Sequence, residues 1–323
     1  MTVKRVAVLL AAGALFLTGC GGDRSAERGE GQSAAAGKRL SIATGNTTGV
    51  YYVLGGGLAD QIGKHLPGYQ ATAEATGASV ENIQRVVRGD SDIAFTLADS
   101  AADAVAGKGA FTAPQPIRAV ARLYDNYTQV VATADSGVKS VADLKGKRVS
   151  TGSPNSGTEV IALRLLKAAG LDPEKDVTRQ SLGLPESVQA VKDGDLDALV
   201  WSGGLPTPGL TDLLTSLKDR VAFVPLDGVL PAMQAEHGRV YAAGTIAKDV
   251  YGTPADVSTI SVPNLLVVNE KMDPTLAGDL TKLLFDRKAD LEKVHPAAKD
   301  ITRDNARKTE PVPLHDGAGK YYG

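Results

Sequence analysis

The chain has 323 residues, 43% of them hydrophobic and 22% charged, with a formal net charge of −2 and a single cysteine. So mild a balance argues against nucleic acid as a partner. One cysteine leaves no disulfide framework and no thiolate metal site.

Taken from its start, the sequence first offers a segment that does not belong to a fold. Lys4 and Arg5 precede an apolar run, residues 6–17 (VAVLLAAGALFL), too short to span a bilayer with ease. Small residues follow, as in a secretory signal peptide. The segment ends in LTGC, Leu17-Thr18-Gly19-Cys20, which looks like a bacterial lipobox. Residues 1–19 are therefore expected to be removed, and Cys20 to carry acyl chains such as palmitate that hold the protein to a membrane. Residues 20–37 are rich in Gly, Ser, Ala and mixed charge, the composition of a flexible tether. Without residues 1–19 there are 33 Lys+Arg against 37 Asp+Glu, a net of −4. The reading is of an extracytoplasmic, lipid-anchored protein. His65, His237, His295 and His315 lie far apart with no ligand-like spacing, so neither a metal nor another cofactor is expected.

From Lys38 onward the chain makes the same statement twice. Residues 40–66 (LSIATGNTTGVYYVLGGGLADQIGKHL) predict a short strand, a Gly/Asn/Thr loop and an amphipathic helix with Tyr52, Leu58, Ile62 and Leu66 among its apolar positions. Residues 80–95 (VENIQRVVRGDSDIAF) predict a helix, a turn and a strand. Residues 147–171 (KRVSTGSPNSGTEVIALRLLKAAGL) repeat the first pattern, and residues 186–201 (ESVQAVKDGDLDALVW) repeat the second. In both second patterns G-D-x-D separates helix from strand. Asp90, Asp92, Asp195 and Asp197 are thus read as turn residues and not as catalytic carboxylate pairs. Two similarly built α/β lobes follow. The first is expected at 38–128 plus 260–323 and the second at 129–259, with a ligand cleft where loops enter helices and a hinge between them.

The loop GSPNSGT, residues 152–158, has the glycine spacing of a phosphate-binding P-loop, with four residues between Gly152 and Gly157. Thr158 and Glu159 stand where that motif has Lys and Ser or Thr, so a nucleotide triphosphate is not its ligand. A helix N-terminus still offers free amides and about half a positive charge to a carboxylate. Ser153, Asn155, Ser156, Gly157 and Thr158 are candidate ligand contacts on this loop. Gly45, Asn46 and Thr47 are their counterparts in the first lobe, with Tyr51 or Tyr52 behind them; Tyr51 is taken as the one at the cleft. Ser79 and Asn82, in the helix start TGASVEN, either face the ligand or cap the helix. Trp201, the only Trp, ends a strand beside Gly203 and is either a core aromatic or a cleft wall. Arg122 is assigned an ordinary salt bridge.

Several of these stretches carry a family likeness. TGNTTGVYYVLGGGLAD, TGASVENIQRVVRGDSDIAF, VADLKGKRVSTGSPNSGTEVIALRLLKAAGL, SVPNLLVV and the ending PLHDGAGKYYG resemble the TAXI family. Its members are solute-binding subunits of tripartite ATP-independent periplasmic (TRAP) transporters. The resemblance runs from about residue 40 to the end. It implies a type II periplasmic-binding-protein fold, a small acidic organic solute of the glutamate or dicarboxylate kind, and TRAP permease subunits as partners of a monomeric protein. One departure is Leu97 in FTLADSA, where the family often carries Gln.

Two other functions fit the same lobes. A sensory lipoprotein would present its solute to a membrane receptor, and a neighbouring permease gene would distinguish the two. An enzyme would need a base near Ser153 or Ser156. The sequence places no histidine there and carries no G-x-S-x-G, H-E-x-x-H or intact P-loop.

Overall fold

The computed structural model describes residues 37–323. The signal peptide expected at 1–19, the tether up to residue 36 and the lipidation expected at Cys20 lie outside the described residues.

Ten strands form one mixed sheet: β1 (Lys38–Ala43), β2 (Tyr69–Glu74), β3 (Ile93–Leu97), β4 (Ile117–Thr133), β5 (Arg148–Ser150), β6 (Thr178–Gln180), β7 (Ala198–Gly203), β8 (Val221–Phe223), β9 (Ala242–Ile246) and β10 (Val257–Asn269). The order is β2-β1-β3-β10-β4-β7-β5-β6, with β8 on β4 and β9 on β10. This order is a repeat in space. β1 pairs in parallel with β2 and β3, and β5 pairs in parallel with β6 and β7. Each trio then meets a long antiparallel strand, β10 for the first and β4 for the second. The two long strands pair with each other from Ile117↔Asn269 to Tyr127↔Ser261. They carry the chain between the halves and hold them together, giving the two-lobed α/β fold expected from the sequence.

Parallel strands need crossover helices. In the first half these are α1 (Val50–His65), α2 (Ser79–Arg88) and α3 (Ala98–Ala106). In the second half they are α4 (Gly157–Ala168), α5 (Leu184–Asp193) and α6 (Pro208–Leu217). The sheet is covered on both faces, so alternate residues of one strand enter different cores. Val200 packs with Ile161 and Leu165 of α4, whereas Leu199 and Trp201 pack with Leu184 of α5 and Leu210 of α6. In the first half Ile93 and Phe95 pack with Leu54, Leu58 and Ile62 of α1, whereas Ala94 packs with Val80 and Ile83 of α2. Each fully buried aliphatic side chain contributes about 1.5–3 kcal/mol.

The G-D-x-D echo is also a repeat of bonds. Gly89 and Gly194 both end their helices in the left-handed conformation, at φ 81°. The second aspartate of each motif then reaches the neighbouring strand: Ser41 N donates to Asp92 Oδ2, and Arg148 N donates to Asp197 Oδ2, both at 2.8 Å. These carboxylates tie the turn to the backbone of the neighbouring parallel strand, as residues of a turn between helix and strand.

Candidate functional site

A small cavity of about 30 Å³ lies where the loops of both halves meet. α1, α2 and α4 all begin at its wall. Gly49, Val50 and Tyr51 come from the first turn of α1, Ala78 and Ser79 from that of α2, and Ser156, Gly157 and Thr158 from that of α4. Sequence reasoning asks whether such starts are ligand sites or caps, and the three differ. Ser156 is a cap: Glu159 N donates to its Oγ at 2.9 Å. Gly49 and Ala78 give α1 and α2 no side-chain cap, so the amides there lack the usual side-chain acceptor.

Most candidates named from sequence meet at this cavity. Gly45, Asn46, Tyr51 and Ser79 line it from the first half, and Ser153, Ser156, Gly157, Thr158, Trp201 and Gly203 from the second. Three do not. Thr47 is exposed and does not line the cavity. Asn82 is fully buried, its amide donating to Thr44 O at 2.6 Å and to Phe95 O at 2.8 Å, so it ties α2 to β3 and to the residue that follows β1. Asn155 is exposed beside a separate groove of about 460 Å³; its carbonyl accepts from Glu81 N at 3.0 Å. Tyr52 lies on an outer surface groove, and Tyr51 is the one at the cavity. Trp201 is both things at once, packed with α5 and α6 and lining the cavity, its Nε1 donating to Thr207 Oγ1 at 3.2 Å. Arg122 pairs with Asp125 at 2.7 Å, the ordinary salt bridge expected.

The halves touch closely around the cavity. Asn46 reaches across it: Leu184 N donates to its Oδ1 at 2.7 Å, and its Nδ2 donates to Ser153 Oγ at 3.3 Å. Leu97, on β3, lines the cavity and packs into the core of the second half, so this position contributes shape and no polar contact.

The floor includes Tyr124 and Asn126, which the sequence reading missed, and Asn264 backs them without lining the cavity. Tyr51 Oη donates to Asn264 Oδ1. Asn264 Nδ2 donates to Asn126 Oδ1 at 2.8 Å and to Tyr124 O at 3.1 Å. Asn126 Nδ2 donates to Ser202 O at 3.2 Å. This buried network links α1, β10, β4 and β7. The available signal was a polar Asn inside an apolar strand run, in SVPNLLVV and again in VARLYDNYTQVVA.

Among the described residues, none that lines the cavity is Lys, Arg, His, Cys, Asp or Glu. Burial pushes the Tyr51 and Tyr124 hydroxyls far above the ordinary tyrosine range, so both stay protonated at neutral pH. The wall can therefore hold a solute by amide and hydroxyl hydrogen bonds, and it offers no acid–base pair poised near neutrality. Among the described residues no group of three His, Cys, Asp or Glu is placed to hold a metal ion. No helix among them is long and apolar enough to cross a membrane.

Two α/β halves joined by long crossing strands, with a cavity between facing helix starts, define a type II periplasmic-binding-protein fold. The chain belongs to the NMT1-like family, whose model matches residues 42–323. Among solved structures it is similar to one from Xanthomonas citri bound to ATP, at 13% identity and a TM-score of 0.53, over 88% of this chain and 98% of that chain. It is also similar to a binding-protein component of an ABC phosphonate transporter from Pseudomonas aeruginosa, at 15% identity and a TM-score of 0.52, over 81% and 79% of the two chains. A structure from Bordetella bronchiseptica is 19% identical, with a TM-score of 0.50 over 88% of this chain and 79% of that chain. At these identities the likeness is one of fold.

Proposed function

We propose that this protein captures a small acidic organic solute between its lobes and delivers it to a TRAP-type secondary transporter. The observation that carries the binding half is the meeting of three helix starts, two without side-chain caps, at one small cavity. Such starts favour a carboxylate without a cationic side chain. A few charge-assisted hydrogen bonds of about 1.5–3 kcal/mol each support micromolar affinity, about −8 kcal/mol net. That suits a solute that must be released again. Glutamate and the dicarboxylates are the solutes that the TAXI resemblance points to, and the TRAP permease is the partner it implies. The lobes divide near 128/129 and 259/260, within the crossing strands β4 and β10. Lipidation at Cys20 holds the protein outside the cytoplasm, beside its permease.

The ligand class is tested by isothermal titration calorimetry of the full chain with L-glutamate, 2-oxoglutarate, succinate and a neutral sugar. A saturable heat with at least one acid and none with the sugar is expected. Heat with the sugar alone contradicts the class. The permease is tested by uptake of the bound acid into vesicles that carry the TRAP membrane subunits; uptake that proceeds equally without this protein contradicts the partnership.

A further inference from the structure

Two hydroxyls at the cavity have no use in the closed protein. Tyr124 is 2% exposed and Ser202 is 5% exposed, and both line the cavity. Neither Tyr124 Oη nor Ser202 Oγ has a hydrogen-bond partner. Other polar groups of these residues are engaged. Ser202 N donates to Thr158 Oγ1 at 3.2 Å, Ser202 O accepts from Asn126, and Tyr124 O accepts from Asn264. Other polar side chains in the same wall also have partners: Tyr51 on Asn264, Ser79 accepting from Leu97 N at 3.0 Å, and Ser153 accepting from Asn46. A buried hydroxyl left unpaired is destabilising, and folded proteins mostly avoid it. Six other buried polar atoms among the described residues lack a partner too, but these two fall on residues of one cavity, where a ligand can supply it. The space of about 30 Å³ admits no more than one or two waters.

The two residues sit on neighbouring strands, since β4 pairs with β7. Tyr124, on β4, packs into the core that contains α1. Ser202 is next to last in β7, which lies between β4 and β5. Because the described cavity wall carries no charged side chain, charge on a ligand must be met by amide and hydroxyl donors. A hydroxyl gives an ionised acceptor a stronger bond than a neutral one. Burial keeps the Tyr124 hydroxyl protonated, so it remains a donor at neutral pH.

We propose that Tyr124 Oη and Ser202 Oγ together grip one carboxylate of the solute, and so determine the preference for acids. This rests on the solute-binding reading and adds to it two residues outside the helix starts.

The test uses the full chain with Tyr124→Phe and, separately, Ser202→Ala. Each variant is titrated calorimetrically with L-glutamate, 2-oxoglutarate and succinate, and each is melted without ligand. Both substitutions remove a hydroxyl that nothing in the closed protein uses. The ligand-free melting temperature is therefore expected to stay the same or rise, while affinity for the acid that binds falls about tenfold in each variant. Affinity equal to wild type in both variants overturns the proposal. So does a lower ligand-free melting temperature in both, which would give the hydroxyls a structural partner. If the wild type binds none of the three acids, the functional reading fails separately. The proposal then falls with that reading, whereas acid binding that both variants keep at wild-type affinity overturns the proposal alone.

Discussion

Gly157 and Ser79 meet across the cleft so closely that a Cβ on the glycine would lie 2.5 Å from the serine Oγ. The same Cβ would lie 2.5 Å from Leu97 Cδ1. Gly157 opens α4 in one half, while Ser79 and Leu97 belong to the other. The glycine is thus required by closure and not by its own helix, where alanine is the better former. Gly157→Ala is expected to leave the melting temperature within a few degrees of wild type and to weaken solute binding at least tenfold. Overpacking of this kind costs about 1–3 kcal/mol. Calorimetric titration checks it; wild-type affinity would show that the halves do not close this far in the bound state.

Asn46 is the polar counterpart of that contact. Its side chain accepts from the first amide of α5 and donates to Ser153. Asn46→Ala removes both bonds between the halves. Closure should lose about 1–3 kcal/mol, read as a larger radius of gyration with saturating ligand in solution scattering. An unchanged radius and affinity would remove Asn46 from the closing mechanism.

A second link between the halves is ionic and buried. Arg164 of α4 pairs with Asp99 and Asp103 of α3, and Tyr241 Oη donates to Asp99 Oδ2 at 2.6 Å. The Asp99 side chain is fully shielded from solvent. Burial holds its carboxyl above the ordinary range against the opposing pull of Arg164. Arg164→Ala leaves that carboxylate buried without its cation, which should cost about 3–5 kcal/mol. Asp99→Asn should cost less, since a neutral amide can still accept from Tyr241. Urea midpoints measure both. A loss below about 1 kcal/mol for Arg164→Ala would mean that Asp99 reaches water or is protonated in the folded protein.

His295 gives the stability a pH dependence of definite sign. Ala297 N donates to its Nδ1 at 3.2 Å, which makes Nε2 the protonated nitrogen and the donor to Pro206 O at 3.0 Å. Burial lowers its pKa below the ordinary 6.5. A depressed histidine contributes stability that is fully present above pH 6.5 and is lost as pH falls through its lowered value. Burial depresses His237 in the same direction. Melting followed between pH 7.5 and 5 should show a downward slope that His295→Gln reduces but does not abolish. An identical slope in the variant would exclude His295 as a contributor.

The architecture was legible because its signals are local and occur twice. The apolar spacing of 147–171 and the G-D-x-D turns each specify a helix end, a left-handed glycine and the following strand without help from distant residues. The cavity was legible at the helix starts, where Gly, Ser and Asn cluster. Its floor was not. Asn264 and Asn126 lie 138 residues apart and meet only because β4 and β10 pair, and no short-range pattern encodes that pairing. Asn82 shows the converse limit. An Asn in the first turns of a helix looks the same in sequence whether it faces a cleft or, as here, binds two buried carbonyls.

Trp201 makes the central claim directly measurable, since the chain's only tryptophan lines the cavity. The full chain should be titrated with L-glutamate, 2-oxoglutarate and succinate while Trp201 fluorescence is followed, with a neutral sugar as control. A saturable change with at least one acid, absent with the sugar and weakened in Gly157→Ala, is the result that solute capture between the two halves predicts. A flat signal with every acid, or a response to the sugar alone, would contradict it.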